Sequence, residues 1–268
     1  ILYRTTHAPG KEKTGYAVYD EKMDLRLRQT LRLRHDLVNC INEGMRGFEV
    51  HYQPVINAKN GQWVGMEALC RWKSPQGEML PPGIFIPEVE SLGLINNMDA
   101  WVRETAVRQC VNWGLHEREF FLALNFSPKS DLSMDYADEL LACLERYSYP
   151  RHKLTLEITE STKMRFSPEN QEGLLSLRDA GINLALDDFG TGNSNIEHLC
   201  KIPATVLKTE RLFVQSIEED PYYQYLMRLM VDIAHTVNMV LVAEGVENTA
   251  QSQLLKTDDV DYLQGYLY

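Results

Sequence analysis

Ile182-Asn183-Leu184-Ala185-Leu186-Asp187-Asp188-Phe189-Gly190-Thr191-Gly192 sets five mostly apolar residues directly before two carboxylates and a glycine-rich turn. The apolar part is short enough for a buried strand, and the two glycines mark a tight loop after it. The amphipathic stretch Glu169–Asp179 precedes it at helical length. Helix, strand, then a polar turn is the unit of a parallel α/β sheet.

The same unit recurs outward in both directions. Apolar runs stand at Phe48–Tyr52, Trp63–Leu69, Phe120–Phe126, Leu154–Ile158, Val206–Lys208, Met239–Ala243 and Tyr262–Leu263, and helical stretches at Asn97–Trp113, Met134–Tyr147 and Tyr222–Val237. Eight runs in about 220 residues match a (β/α)8 barrel, and an open doubly wound sheet shares the local signature. No Gly-x-Gly-x-x-Gly follows the first run, which weakens the dinucleotide-binding form of the open sheet.

Polar residues stand at the C-terminal ends of these runs: Glu67, Asn125, Glu157, Asp187-Asp188, Lys208, Glu244 and Gln264. One carboxylate after a strand is ordinarily a helix N-cap. In a barrel, however, all these ends converge on the face where active sites of that fold are built. Carboxylates gathered there repel one another unless they are protonated, dispersed or metal-bound. Carboxylate and amide oxygens, with no histidine or cysteine beside them, suit hard cations such as Mg2+ or Mn2+ rather than Zn2+. The adjacent pair Asp187-Asp188 can share ligands between two such ions, and a site of that kind binds phosphate. Lys208 and Arg71 are the cations that could hold a phosphoryl oxygen or orient an attacking water; the plainer alternatives are an internal ion pair for Lys208 and a surface guanidinium over Trp72 for Arg71. Asp188-Phe189-Gly190 taken alone matches the kinase metal motif, but no glycine-rich phosphate loop or His-Arg-Asp segment accompanies it. The histidines show no metal-ligand spacing.

The chain has 268 residues, 44% of them apolar and 24% charged, which is near the globular average and excludes a disordered or fibrous polymer. Its net charge of −11 disfavours nucleic acid and anionic membranes as partners. Five widely spaced cysteines without a CxxC pair suit a reducing cytoplasm. No apolar run approaches the roughly 18–20 residues that cross a bilayer, and no signal stretch opens the chain. Both ends read as cut from a longer chain. Residues 1–20 are too few for a domain, residues 21–47 read as a linker helix with leucines set among arginines (helical over Glu21–Glu43), and 48–268 as the barrel.

Glu67-Ala68-Leu69 followed by Arg71-Trp72, with Tyr52-Gln53-Pro54, Phe85-Ile86-Pro87, Asn125-Phe126-Ser127, Glu157-Ile158-Thr159-Glu160, Asp187 to Gly192, Ala243-Glu244-Gly245-Val246-Glu247 and Gln264-Gly265-Tyr266 in that order, resembles the EAL-domain phosphodiesterases of bacterial cyclic di-GMP signalling. Residues 1–20, with Gly15-Tyr16-Ala17-Val18-Tyr19-Asp20, are similar to the tail of a GGDEF domain, the family's usual upstream neighbour. The resemblance implies a (β/α)8 TIM-type barrel with one antiparallel strand that cleaves one phosphodiester bond of cyclic di-GMP to give linear pGpG. It implies two divalent ions, Mg2+ or Mn2+, held by Glu67, Asn125, Glu157, Asp187, Asp188 and Glu244. Lys208, with Glu67 and Glu244, would act on the hydrolytic water; Arg71, Gln53 and Gln264 would contact substrate; Glu160, Glu210 and Glu247 would anchor or support loops. A homodimer and a GGDEF-like neighbour in the full chain belong to the same implication, while a sensor domain and a membrane anchor outside this segment stay open. There are two departures, neither of which removes a proposed metal ligand, and the first, in the loop, points toward the alternative of a weakly active or inactive cyclic di-GMP receptor or interaction module. Asn193, Ser194 and Asn195 stand where the family carries an aromatic residue and two serines, and Lys208-Thr209-Glu210 replaces Lys-x-Asp. A metal-dependent sugar-acid lyase would account for the charges but not for the ordered motifs.

Overall fold

The computed structural model describes residues 2–3, 17–18, 21–127, 133–159, 168–190 and 203–268. Leu2–Tyr3 (β1) and Ala17–Val18 (β2) form an antiparallel pair, and Glu21–Asn42 is helix α1. The strands of the main sheet follow: β3 (Phe48–Asn57), β4 (Trp63–Lys73), β5 (Met79–Leu80), β6 (Phe121–Phe126), β7 (Leu154–Thr159), β8 (Asn183–Phe189), β9 (Val206–Thr209), β10 (Val240–Glu244) and β11 (Tyr262–Gln264). Between them lie helices α2 (Pro82–Ser91), α3 (Ile95–Asn112), α4 (Met134–Arg146), α5 (Pro168–Asp179), α6 (Arg211–Ser216), α7 (Pro221–Thr236) and α8 (Thr249–Thr257).

The sheet closes on itself. Its order is β3-β11-β10-β9-β8-β7-β6-β4-β5, and β3 also pairs with β4, so eight strands form a barrel with β5 as an added edge. β3 runs antiparallel to both β4 and β11, while the steps from β4 through β6 to β11 are parallel. Hence the closed α/β barrel holds and the open doubly wound sheet does not. Alternation along each strand sends one face to the barrel lumen and the other to the helices. The outward faces are buried as expected: Leu122, Leu154, Leu156 and Leu184 pack with Leu140, Leu144 and Leu177 of α4 and α5, and Leu207 and Leu241 with Val214, Met227 and Ala234 of α6 and α7.

The second half of α1 belongs to the barrel's packing. Leu37, Cys40 and Ile41 are buried with Phe48, Trp72 and Phe85, and Phe48 stacks on Trp72 at 5.7 Å between ring centres. Its first half exposes Leu25, Leu27 and Leu31. Among the described residues no helix is long and apolar enough to cross a membrane.

Candidate active site

Each parallel strand presents a polar residue to one mouth of the barrel, at or near the strand's end except for Glu67, which lies midway along β4. Lys208, on β9, is 2% exposed and stands at the centre. Its Nζ lies 2.6 Å from Glu244 Oε1, 2.7 Å from Glu157 Oε2, 3.4 Å from Glu67 Oε2 and 3.8 Å from Asp187 Oδ1. Four strands therefore send a carboxylate toward the ammonium of a fifth.

Glu67 is fixed from two sides. Gln264 Nε2 donates to its Oε2 at 2.6 Å, and Asn125 Nδ2 donates to its Oε1. Gln264 also donates to Gln53 Oε1 at 3.1 Å, so Gln53 is tied to the same network across the antiparallel strand. Arg71 sits two pleats beyond Glu67 on β4, gives Nη1 to Cys70 O at 2.9 Å, and lines a 620 Å³ cavity over the mouth together with Gln53, Glu67, Glu244 and Gln264.

Asp187 and Asp188 are successive, and in a regular strand they would face opposite sides. The register of β8 against β9 shifts between Leu186 and Phe189, and Asp188 takes a left-handed φ of 55°, a conformation that aspartate tolerates better than most residues. Asp187 Oδ1 accepts from the Asp188 backbone N–H at 2.8 Å, which pins the bulge.

The charges are far from balanced, with one ammonium among Glu67, Glu157, Asp187, Asp188 and Glu244. Burial, with Glu67 and the other carboxylates adding to it, drives Glu157 well above the usual carboxylate range. Burial likewise pushes Glu244 up to about 7, and Asp188 rises through burial and the charge of Asp187. Burial alone would raise Glu67 too, but the Lys208 charge and the donors from Gln264 and Asn125 outweigh it, and Glu67 falls below its ordinary value. Lys208 loses hydration, yet the surrounding carboxylates hold its proton more firmly than in water.

Among the described residues no three acidic, imidazole or thiol side chains are arranged as a ready metal-ligand group, because the carboxylates converge on the Lys208 ammonium. The donor chemistry nevertheless fits hard divalent cations. All candidate donors are carboxylate or amide oxygens, negative charge is in excess, and buried Glu157 Oε2 and Glu244 Oε1 receive no well-directed hydrogen bond.

Glu67, Asn125, Glu157, Asp187, Asp188, Lys208, Glu244, Gln53, Gln264 and Arg71, singled out from the sequence, thus share this mouth. Glu210 occupies the N-cap position of α6 without a side-chain cap hydrogen bond, and its charge reaches Asp188. Glu247 is exposed and accepts from Gln215 Nε2 at 3.3 Å, away from the ammonium. Glu160 and Asn193 to Asn195 lie outside the described residues. Arg211 is absent from the sequence reading and Tyr266 enters it only within Gln264-Gly265-Tyr266; both line the upper cavity, with the Arg211 guanidinium 5.9 Å from the centre of the Tyr266 ring. Arginine one residue after the Lys-x-Glu segment was the available signal.

A closed barrel of seven parallel strands and one antiparallel strand, with an acid-rich C-terminal mouth around buried Lys208, defines an acidic-site TIM barrel. The EAL-domain family profile matches residues 36–268, and the chain belongs to that family. It is 35% identical over 263 residues to the bifunctional diguanylate cyclase/cyclic di-GMP phosphodiesterase MucR of Pseudomonas aeruginosa, covering 97% of this chain and 38% of MucR. It is 30% identical over 253 residues to the cyclic di-GMP phosphodiesterase PA2567 of the same species, covering 94% of this chain and 43% of that protein. The chain therefore spans less than half the length of either relative. The solved structure of the MucR phosphodiesterase in complex with c-di-GMP superposes with a TM-score of 0.79 at 36% identity, covering 88% of this chain and 95% of that one.

Proposed function

We propose that this chain hydrolyses one phosphodiester bond of cyclic di-GMP, giving linear pGpG, with the help of two divalent ions, Mg2+ or Mn2+. The observation that carries the reading is the surplus of carboxylates around a single buried ammonium at the barrel mouth. Glu67, Asn125, Glu157, Asp187, Asp188 and Glu244 would hold the ions, which when bound supply Lewis-acid polarisation of phosphoryl and water oxygens.

The chain's own groups divide the remaining work. Lys208 Nζ, held protonated by its neighbours, donates a hydrogen bond to the attacking water and fixes its direction. Gln264 and Asn125 keep the Glu67 carboxylate in one orientation, and burial of the mouth strengthens each of these contacts. Arg71 faces the 620 Å³ cavity and would grip a phosphate by paired N–H donors. The names of two relatives and the c-di-GMP in the MucR complex support this choice of substrate.

The test is incubation of the purified chain with cyclic di-GMP and Mg2+, Mn2+ or EDTA, followed by separation of the products. Formation of pGpG with metal and none in EDTA supports the reading. Saturable binding without any product would favour the second reading, a cyclic di-GMP receptor, toward which the sequence departure at Asn193 to Asn195 points. We further propose that residues 1–20 close an upstream GGDEF-like domain, and that the full chain is a cytoplasmic homodimer.

A further inference from the structure

We propose that the barrel of this chain is hydrated from its N-terminal face, by a passage that brings water to the underside of Lys208. A cavity of 490 Å³ is lined by Glu119, His152 and Asn238 at the N-terminal ends of the strands and by Glu157, Lys208 and Gln264 at the functional mouth. A barrel of this type is normally filled by layers of branched side chains rather than left as a pore.

The cause lies two residues before each functional side chain, on the same strand face. Those positions hold Gly65, Ala123, Thr155, Ala185, Val206, Val242 and, before Gln264, Tyr262. Three of the seven carry one side-chain carbon or none, and Thr155 adds a hydroxyl. Apart from Tyr262 the layer below the functional ring is small, and it leaves part of the lumen unfilled. The bulk comes from Tyr262 and from Phe121 one layer lower, whose rings stand 6.1 Å apart and also line the cavity. Phe121 reaches that place because Gly65 has no side chain: a Cβ there would stand 2.6 Å from the ring.

The passage has an exposed rim at Glu119, His152 and Asn238 and buried inner walls at Thr155 and Val242, and its upper end is polar. Gln264 is 3% exposed, its Nε2 is committed to Glu67 and Gln53, and its Oε1 has no hydrogen-bond partner. Turning the amide over would set Oε1 against a carboxylate, so the orphaned acceptor faces away from Glu67. A buried acceptor at the inner end of a cavity that reaches exposed Glu119, His152 and Asn238, and is roomy enough for on the order of ten waters at ~30 Å³ each, is a water site. The lumen is therefore wet, unlike a closed and wholly apolar cavity of about 150 Å³, which stays dry. Water arriving this way reaches Lys208 without crossing the face that a bound nucleotide covers. Its use in replacing the water consumed by hydrolysis rests on the function proposed above; the passage itself does not.

The experiment places a thiol on the inner wall by Thr155→Cys, with Asn238→Cys as the rim reference, and follows labelling by methyl methanethiosulfonate with residue-resolved mass spectrometry. Wild-type-like melting shows that each variant folds, and Val242→Cys replaces Thr155→Cys if the latter does not. The inner thiol is expected to label within about tenfold of the rim thiol, whereas a thiol reached only by unfolding would lag by about a thousandfold or more. Adding Thr205→Trp at the rim is expected to slow the inner thiol alone. A dry, closed lumen would leave the inner thiol unlabelled while the rim reacts. Labelling that Thr205→Trp does not slow would place the entrance at the functional mouth. Either result overturns the proposal, and neither depends on whether cyclic di-GMP is turned over.

Discussion

The Lys208 ammonium lies 2.6 Å from Glu244 Oε1, yet Glu244 is held near pKa 7 rather than below its ordinary value. An isolated pair at that distance would keep the carboxylate ionised. Here burial opposes ionisation, and Asp187 and Glu67 compete for the same cation. Lys208 is thus shared among four strands, and the mouth carries both a firmly charged lysine and carboxylates that readily take a proton.

In EDTA, the folded chain should be less stable at pH 8 than at pH 5 on account of Glu244. Its folded pKa of about 7 lies above the ordinary 4.5, so between those values the folded state binds the extra proton. The contribution is fully present below about 4.5 and lost as pH rises through about 7, amounting to about 3 kcal/mol at most. Glu157 shifts in the same direction. Urea unfolding of wild type and Glu244→Gln at the two pH values measures it; equal pH dependence in both would show that Glu244 ionises normally.

Lys208→Met should abolish turnover and make the fold's stability more dependent on pH. Removing one partner of a buried ion pair costs about 3–5 kcal/mol when the other stays charged. At pH 5 protonation of Glu157 and Glu244 relieves much of that cost, so the variant's deficit should shrink on acidification. A deficit of the same size at pH 5 and pH 8 would mean that Lys208 does not bear on these carboxylates.

Why the strand ends were legible and other parts were not has a physical basis. A buried parallel strand is a short apolar run, and a polar residue ending it is anomalous unless it faces a site, so Glu67, Glu157 and Glu244 declare themselves. The short elements carry no such signal. α2 contains Pro87 within its helix, α6 has six residues and α8 nine, mostly polar, and β5 has two. Their positions are fixed by packing on the barrel, as with Phe85 against Trp72 at 6.1 Å, rather than by periodicity. Nor does alternation reveal strand direction, so one antiparallel strand was implied by the resemblance alone, and only the pairing identifies it as β3. The bulge at Asp188 was likewise invisible, since two adjacent aspartates say nothing of a left-handed backbone.

Glu67→Ala should eliminate cyclic di-GMP hydrolysis, because the acceptor of both Gln264 and Asn125 is lost with it. Arg71→Ala should instead raise KM with a smaller change in kcat, as expected for a group that binds substrate and transition state alike. Steady-state kinetics on both variants separate the roles. Collapse of kcat at unchanged KM in Arg71→Ala would move Arg71 to the transition state.

Turnover should appear with Mg2+ or Mn2+, vanish in EDTA, and fail with Ca2+, which takes longer bonds and more ligands than Mg2+ and polarises water less. The measurement is pGpG formed against each metal at saturating cyclic di-GMP. Undiminished turnover in EDTA would remove the metal from the proposal.

Gly265→Ala should cost far more than its size suggests. A Cβ at Gly265 would stand 2.0 Å from the carbonyl oxygen and 2.3 Å from the nitrogen of Val246, and both are backbone atoms that no rotamer change can move. Val246 N–H donates to Gln264 O at 3.0 Å, and Leu267 N–H donates to Val246 O at 3.0 Å, so making room breaks the contact between the loop after β10 and the end of β11. Overpacking and two strained hydrogen bonds together place the loss above about 3 kcal/mol. Gln264, next in the chain, would be displaced from Glu67, so activity should fall even in the fraction that remains folded. Gly77→Ala is the control: its φ of +86° strains alanine, but nothing lies within 4 Å of the added carbon, and the loss should stay near 1–2 kcal/mol. Urea unfolding of the two variants decides it. Comparable losses would mean that the segment shifts to admit the added carbon and that the close approach of Val246 is not what requires glycine at 265.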